Sequence, residues 1–196
     1  KEWTVFISSA NTTPVNHLAV NFGAPGDMKD DKGTLWFGYP RPKVGYGVKF
    51  DLKENLMQGM GYFCQDFKGV NVGNSDKPWL FTSGCLGLLK CELPLIDGTK
   101  NQKPDVYSVR LGFIATSGDK IGERLFDIKL QGKVVAKDFD ILKTAGASDK
   151  SIVKEFENIK VDNNLVVELV PKATDPTMSQ APMINFIEVV RKDALK

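Results

Sequence analysis

The chain has 196 residues, 42% of them hydrophobic and 26% charged, which suits an ordinary globular domain with its own core and excludes a disordered or fibrous chain. No apolar run approaches the roughly 20 residues of a transmembrane helix, so membrane insertion is not expected. The formal net charge is only +2, and the Arg residues are few and scattered (Arg41, Arg110, Arg124 and Arg191); nucleic-acid readers concentrate Arg and Lys in a stripe, so nucleic acid is not an expected partner.

Along the chain, Lys1-Glu2-Trp3 shows neither an initiating Met nor a signal peptide, which reads as a processed product or a piece of something larger. Strand candidates follow at 3–8, 17–22, 34–37, 45–51, 62–72, 79–82 and 86–95. They are separated by clusters of Gly, Pro, Asn and Asp at 23–33, 39–43, 72–78 and 97–103. Between 105 and 115 the pattern has period two: Tyr107, Val109, Leu111 and Phe113 share one face, Ser108, Arg110 and Gly112 the other, as in a half-buried strand. Phe126, Ile128 and Leu130 repeat it, and Gln131-Gly132 then reads as a tight hairpin turn. One short helix is expected, at 141–145 or at 149–156. Leu165, Val167 and Leu169 alternate again, and 184–191 is the closing strand candidate. Many short strands at this spacing predict an all-β sandwich or barrel, organised as a single domain over 1–196.

Few residues suggest chemistry. His17 is the sole His and sits at a strand edge, where a structural role outweighs a catalytic one. No nucleophile elbow, P-loop or dinucleotide fingerprint occurs. Cys64, Cys85 and Cys91 have no zinc-ligand spacing; free thiols are favoured over one bridge plus a free thiol. Asp27, Asp30 and Asp31 lie in a Gly-rich loop without EF-hand spacing. They read as solvated carboxylates, leaving room for a structural calcium and for no other cofactor. Asp138 and Asp140 are expected to bond turn backbone rather than to form a glycosidase pair. Aromatic residues are the more suggestive feature: Trp36, Phe37, Tyr39 and Tyr46 bracket Pro40-Arg41-Pro42, and Tyr62-Phe63 follow two glycines. An exposed ring can pack on the apolar C–H face of a pyranose while Asp or Asn takes its hydroxyls.

The run from Gly122 to Ile141 resembles the hallmark of the malectin family. Phe126-Asp127 lies on one strand, Gln131-Gly132 turns it, and Lys137-Asp138-Phe139-Asp140-Ile141 ends the return, with the match continuing to Gly146. Upstream, Val20-Asn21-Phe22-Gly23 and Gly33-Thr34-Leu35-Trp36 are similar to the family's opening segments; downstream, 164–170 and 184–188 are similar to its closing strands. The middle third looks more like a bacterial branch found in large extracytoplasmic proteins, some with β-propeller or cytochrome domains. The resemblance implies an antiparallel β-sandwich of the jelly-roll, galactose-binding-like kind. It also implies a non-catalytic carbohydrate-binding module, located outside the cytoplasm in the periplasm or secreted. Its site is expected at Trp36, Tyr39, Tyr46, Asp175 and Asn185. The family's first binding aromatic falls on Trp36, but its later aromatic pair falls on Ser117 and Gly118, and its acidic residue on Gln180, with Asp175 a few positions away. The alternative expectation is a structural module that docks on its parent polypeptide or a partner chain without binding sugar.

Overall fold

The computed structural model describes residues 3–4, 13–41, 52–66, 71–100 and 102–192. Its strands are β1 (His17–Phe22), β2 (Met28–Lys29), β3 (Leu35–Tyr39), β4 (Lys53–Leu56), β5 (Tyr62–Cys64), β6 (Ser83–Leu86), β7 (Leu88–Pro94), β8 (Asp105–Ile114), β9 (Leu125–Leu130), β10 (Lys133–Asp140), β11 (Ser151–Val161), β12 (Asn164–Pro171), β13 (Met183–Ile184) and β14 (Phe186–Arg191). They form a six-stranded sheet in the order β11-β8-β14-β1-β3-β2, a five-stranded sheet β10-β9-β12-β7-β4, and a small sheet β13-β6-β5. Pairing is antiparallel except between β1 and β3, which run parallel.

The alternating residues do what period two requires. Tyr107, Val109, Leu111 and Phe113 point inward from the six-stranded sheet; Phe126, Ile128, Leu130, Leu165, Val167 and Leu169 answer from the five-stranded one, all essentially inaccessible. Phe113 meets Phe126 and Phe139 across the gap, ring centres 6.0 and 5.0 Å apart. This is the interdigitated core of a β-sandwich. Gln131 and Gly132 both adopt positive φ, 51° and 75°, so the expected hairpin turn forms with the twist its strands need. The short helix α1 is Ile141–Ala145. Asp140 caps it by accepting from Lys143 N at 2.9 Å and also accepts from Gly122 N at 2.7 Å, which is the backbone role expected of it.

Three sequence expectations change. Residues 149–156 are strand, within β11 beyond its first two positions, because they pair with β8. Residues 79–82 are not a strand: Pro78–Phe81 form a 3-10 turn that buries Trp79, Leu80 and Phe81 together. Among the described residues of candidate 62–72, only Tyr62–Cys64 are strand. Candidates 3–8 and 45–51 lie outside the described residues apart from Trp3 and Thr4, the latter bridging to Asp27.

The face of the six-stranded sheet turned away from the core is itself covered at one end. A strap over 71–82 starts at the edge of β11, where Gly73 bonds Asp149 and Ser151 at 2.8 and 3.0 Å. It then crosses the sheet to lay its 3-10 turn on Trp36 and Phe186. Trp36 contacts Trp79 and Phe186 edge-on at 6.1 and 5.0 Å, and Phe81 contacts Phe186 at 5.5 Å. Gly112 is required beneath this layer, because a Cβ there would lie inside the Phe186 ring.

Candidate functional site

The strand ends at Phe22, Tyr39, Leu56, Ile114 and Pro171 and the strand starts at Tyr62, Leu88, Leu125, Ser151 and Met183 gather at one end of the sandwich. At its flank, Tyr39 from β3 and Tyr62 from β5 stand 5.9 Å apart, 70° between planes. Both rest on buried Phe22, at 6.2 and 6.4 Å, and both are half-buried. The pair is held because β3 runs parallel to β1 while β5 is drawn in by β6. Gly23, with φ of 70°, lets the Phe63 and Gly84 backbone approach where a side chain would collide.

Glu54 on β4 completes the group. The Tyr62 hydroxyl donates to the Glu54 carboxylate, and the Tyr39 hydroxyl donates to Leu52 O at 3.4 Å. Burial pushes the Tyr39 phenol up to about 12, assisted by the Glu54 charge, and partial desolvation raises the Glu54 carboxyl as well. The arrangement offers two phenols as ring surfaces and hydroxyls, with the Glu54 carboxyl beside them. Nothing in it resembles an oriented nucleophile and base. Its chemistry is that of recognition: ring faces for C–H groups, polar tips for hydroxyls.

The expected site residues divide. Tyr39 is in this group. Asp175 is exposed on the loop between β12 and β13, at the same end. Tyr46 lies outside the described residues. Trp36 and Asn185 are corrections. Trp36 is only 1% exposed and donates its Nε1 to Asp30 at 3.1 Å, because the strap closes over it. Asn185 is fully buried and donates to the Ser83 and Phe81 carbonyls at 2.7 and 3.4 Å, which ties the strap to the sheet. Tyr62 was legible as an aromatic after glycines, but Glu54 carried no signal: Lys53-Glu54-Asn55 is an exposed edge, and only the fold brings it under Tyr62.

The remaining polar candidates are spent on structure. Asp27 accepts from both terminal nitrogens of Arg41, at 2.5 and 2.9 Å. Asp30 accepts from Lys32 N, Thr34 N and Trp36, and pairs with Lys77 at 2.8 Å. They are buried ion-pair members, not the solvated carboxylates expected. Among the described residues no cluster of three or more His, Cys, Asp or Glu is placed to hold a metal. His17 bonds Glu188 at 3.0 Å. Cys64, Cys85 and Cys91 are free thiols, the last two buried.

At the tip of the same end, Arg124 is buried against Asp119 at 3.0 Å and donates to the carbonyls of Ala181 and Met178. This clamp joins the loops 115–124 and 172–182, which carry Ser117, Gly118 and Gln180. It also leaves Ile121 and Met178 68% and 64% exposed.

Similarity to known proteins agrees with this architecture. Residues 70–190 match the malectin domain family. A probable LRR receptor-like serine/threonine-protein kinase of Arabidopsis thaliana is 42% identical over 60 residues, 30% of this chain and 6% of that protein. Among solved structures, the extracellular domain of ANXUR2 from Arabidopsis thaliana superposes with a TM-score of 0.62 at 15% identity, over 90% of this chain and 41% of that one. A β-glucuronidase of Bacteroides uniformis reaches 0.62 at 16% identity, over 89% of this chain and 18% of that one. At such identities these two share the fold, and in each case this chain spans only a minor part of the larger protein. The family match covers well over half of the sequence and contains the Gly122–Ile141 run, so the chain belongs to the malectin domain family.

Proposed function

We propose that this chain is a non-catalytic carbohydrate-binding module, working outside the cytoplasm as one domain of a larger protein, with Tyr39, Tyr62 and Glu54 as the centre of its site. The observation that carries the reading is the pair of half-buried tyrosines 5.9 Å apart beside a carboxylate. Two rings at an angle present an apolar corner to a pyranose, and Glu54 with the phenol hydroxyls supplies acceptors and donors for its hydroxyls. Asp175 extends the proposed site from the loop between β12 and β13, and Tyr46, outside the described residues, is proposed as a further contact. Family membership supports the substrate class, and the neighbour named as an extracellular domain supports the location.

Calorimetric titration with a panel of neutral oligosaccharides tests this. Tyr62→Ala and Tyr39→Ala are each expected to weaken binding about tenfold, roughly 1.4 kcal/mol. Binding indifferent to both substitutions, or no binding at about millimolar ligand (around 4 kcal/mol), would overturn it.

A second reading, a module that docks on its parent chain or a partner, is favoured by Ile121 and Met178, both exposed apolar side chains on the two loops that the Arg124 clamp joins. It predicts the negative outcome of the same titration, together with loss of partner binding in the double variant Ile121→Ser, Met178→Ser.

A further inference from the structure

Among the described residues the fold buries four acids. Asp27, Asp30 and Glu188 meet Arg41, Lys77 and Arg110, and Asp140 accepts from the backbone of Gly122 and of Lys143 in α1. Glu54 is answered otherwise. It sits on the exposed edge strand β4, yet its carboxyl meets the Tyr62 hydroxyl, and partial burial raises it. Among the described residues the carboxyl receives one donor, that hydroxyl, and forms no ion pair. The lysines of the same strand pair are engaged elsewhere: Lys53 lies opposite Glu92, and Lys90 pairs with Glu92 at 2.7 Å.

Both phenol hydrogens at this corner are in use as well. Tyr39 donates to Leu52 O at 3.4 Å and Tyr62 donates to Glu54. The two rings, backed by Phe22, and the carboxyl therefore offer acceptors and ring faces but no spare donor. Across their strands Tyr62 pairs with Cys85 and Glu54 with Cys91, so each shares a face with a buried thiol. Burial pushes Tyr39, Cys85 and Cys91 up, and the Glu54 charge adds to the effect at all three. The corner is thus a region of one electrical sign, and a ligand that completes it must bring donors and positive charge.

We propose that the corner formed by Tyr39, Tyr62 and Glu54 selects an amino sugar by its free, protonated amine. This names the ligand class of the site described above and rests on that carbohydrate reading. The ammonium lies against the two rings, whose faces attract a cation within about 6 Å of their centres, and its N–H groups reach Glu54 and the phenol oxygens. An opposite charge at that distance also holds the carboxyl in its ionised form. A hydroxyl in place of the amine brings a donor without the charge, and acetylation of the amine removes the charge.

The experiment titrates the whole chain with trisaccharides of glucosamine, N-acetylglucosamine and glucose that share one linkage, and with lysine amide as an ammonium that carries no sugar. The glucosamine trisaccharide is expected to bind about tenfold tighter than the other two, and rising salt should erode the advantage by screening the exposed pair of charges. Glu54→Gln should bring the three trisaccharides to within about twofold of one another. Tyr62→Phe keeps the ring and releases the carboxyl from its present donor, so there the advantage should persist. Three trisaccharides that bind alike overturn the amine assignment and leave the carbohydrate reading standing. An advantage that survives Glu54→Gln, or is lost in Tyr62→Phe, also overturns the assignment, as does lysine amide binding as tightly as the glucosamine trisaccharide. If no trisaccharide binds, the carbohydrate reading fails together with it.

Discussion

Buried charges in this protein work as fasteners, and each is matched to the element it holds. Asp30 joins the 28–36 hairpin to the strap through Trp36 and Lys77, and Glu188 joins β14 to β1 and β8 through His17 and Arg110. Burial pushes both carboxyls up, but the hydrogen bonds and positive charges facing them win. Asp30 is held at about 2, and Glu188 also lies below its usual range. A carboxylate with a folded pKa below its unfolded value adds stability that is present above the unfolded pKa, and loses it as pH falls through the folded one. For Asp30 that window runs from about pH 4 down to about 2. Urea denaturation across the window should show stability falling steeply in the parent chain. In Asp30→Asn stability should be lower at neutral pH and fall less steeply, so that the two curves converge in acid. Curves that stay parallel would show that Asp30 is not the linked group. None of this was legible from the Gly-rich loop, where Asp27, Asp30 and Asp31 read as solvated. Their partners, Arg41, Trp36 and Lys77, lie 6 to 47 positions on, and spacing along a chain does not report such pairings.

The strands show a cleaner relation between pattern and outcome. Alternation in 105–114, 125–130 and 164–171 predicts the inward faces correctly, because a pleated strand has no other way to present every second side chain. The outward face is a different matter. Ser108-Arg110-Gly112 reads as solvent-facing, yet Gly112 lies under the Phe186 ring, while Arg110 stands beside the strap and bonds Glu188. Gly112→Ala is therefore expected to cost about 1–3 kcal/mol by overpacking. An exposed strand position would instead tolerate or favour the extra methyl. A thermal melt distinguishes the two, a clear drop in Tm expected for the first. An unchanged or raised Tm would mean that the strap does not press on β8 as described. The 3-10 turn at Pro78–Phe81 is the counterpart of this finding: its three consecutive apolar residues are buried because the segment lies over Trp36 and Phe186.

For the molecule as a whole, three thiols report how the layers close. Cys85 and Cys91 face the junction of the small sheet with β4 and β7; burial pushes Cys85 up to about 12 and Cys91 higher still. Cys64 is exposed on β5, its thiol raised less. Native protein treated with a thiol reagent at neutral pH should label Cys64 slowly and spare the other two, with all three labelled after denaturation. Fast native labelling of Cys85 would contradict the described packing of β6 beneath Tyr62. The all-β class and the 131–132 hairpin followed from the amino-acid order alone, because strand periodicity and turn residues are local and each is decided within a few residues; the resemblance carried by Gly122–Ile141 pointed to the family, and only the β8–β11 pairing decided between the two places open to the short helix. The site did not follow from the amino-acid order. Trp36 on β3 is covered by the strap and Asn185, between β13 and β14, is buried against the Phe81 and Ser83 carbonyls, while Glu54 gains its importance from a tyrosine eight positions on that another sheet positions. Which side chains meet solvent together depends on how sheets and straps stack, and that follows from long-range packing that no local pattern encodes.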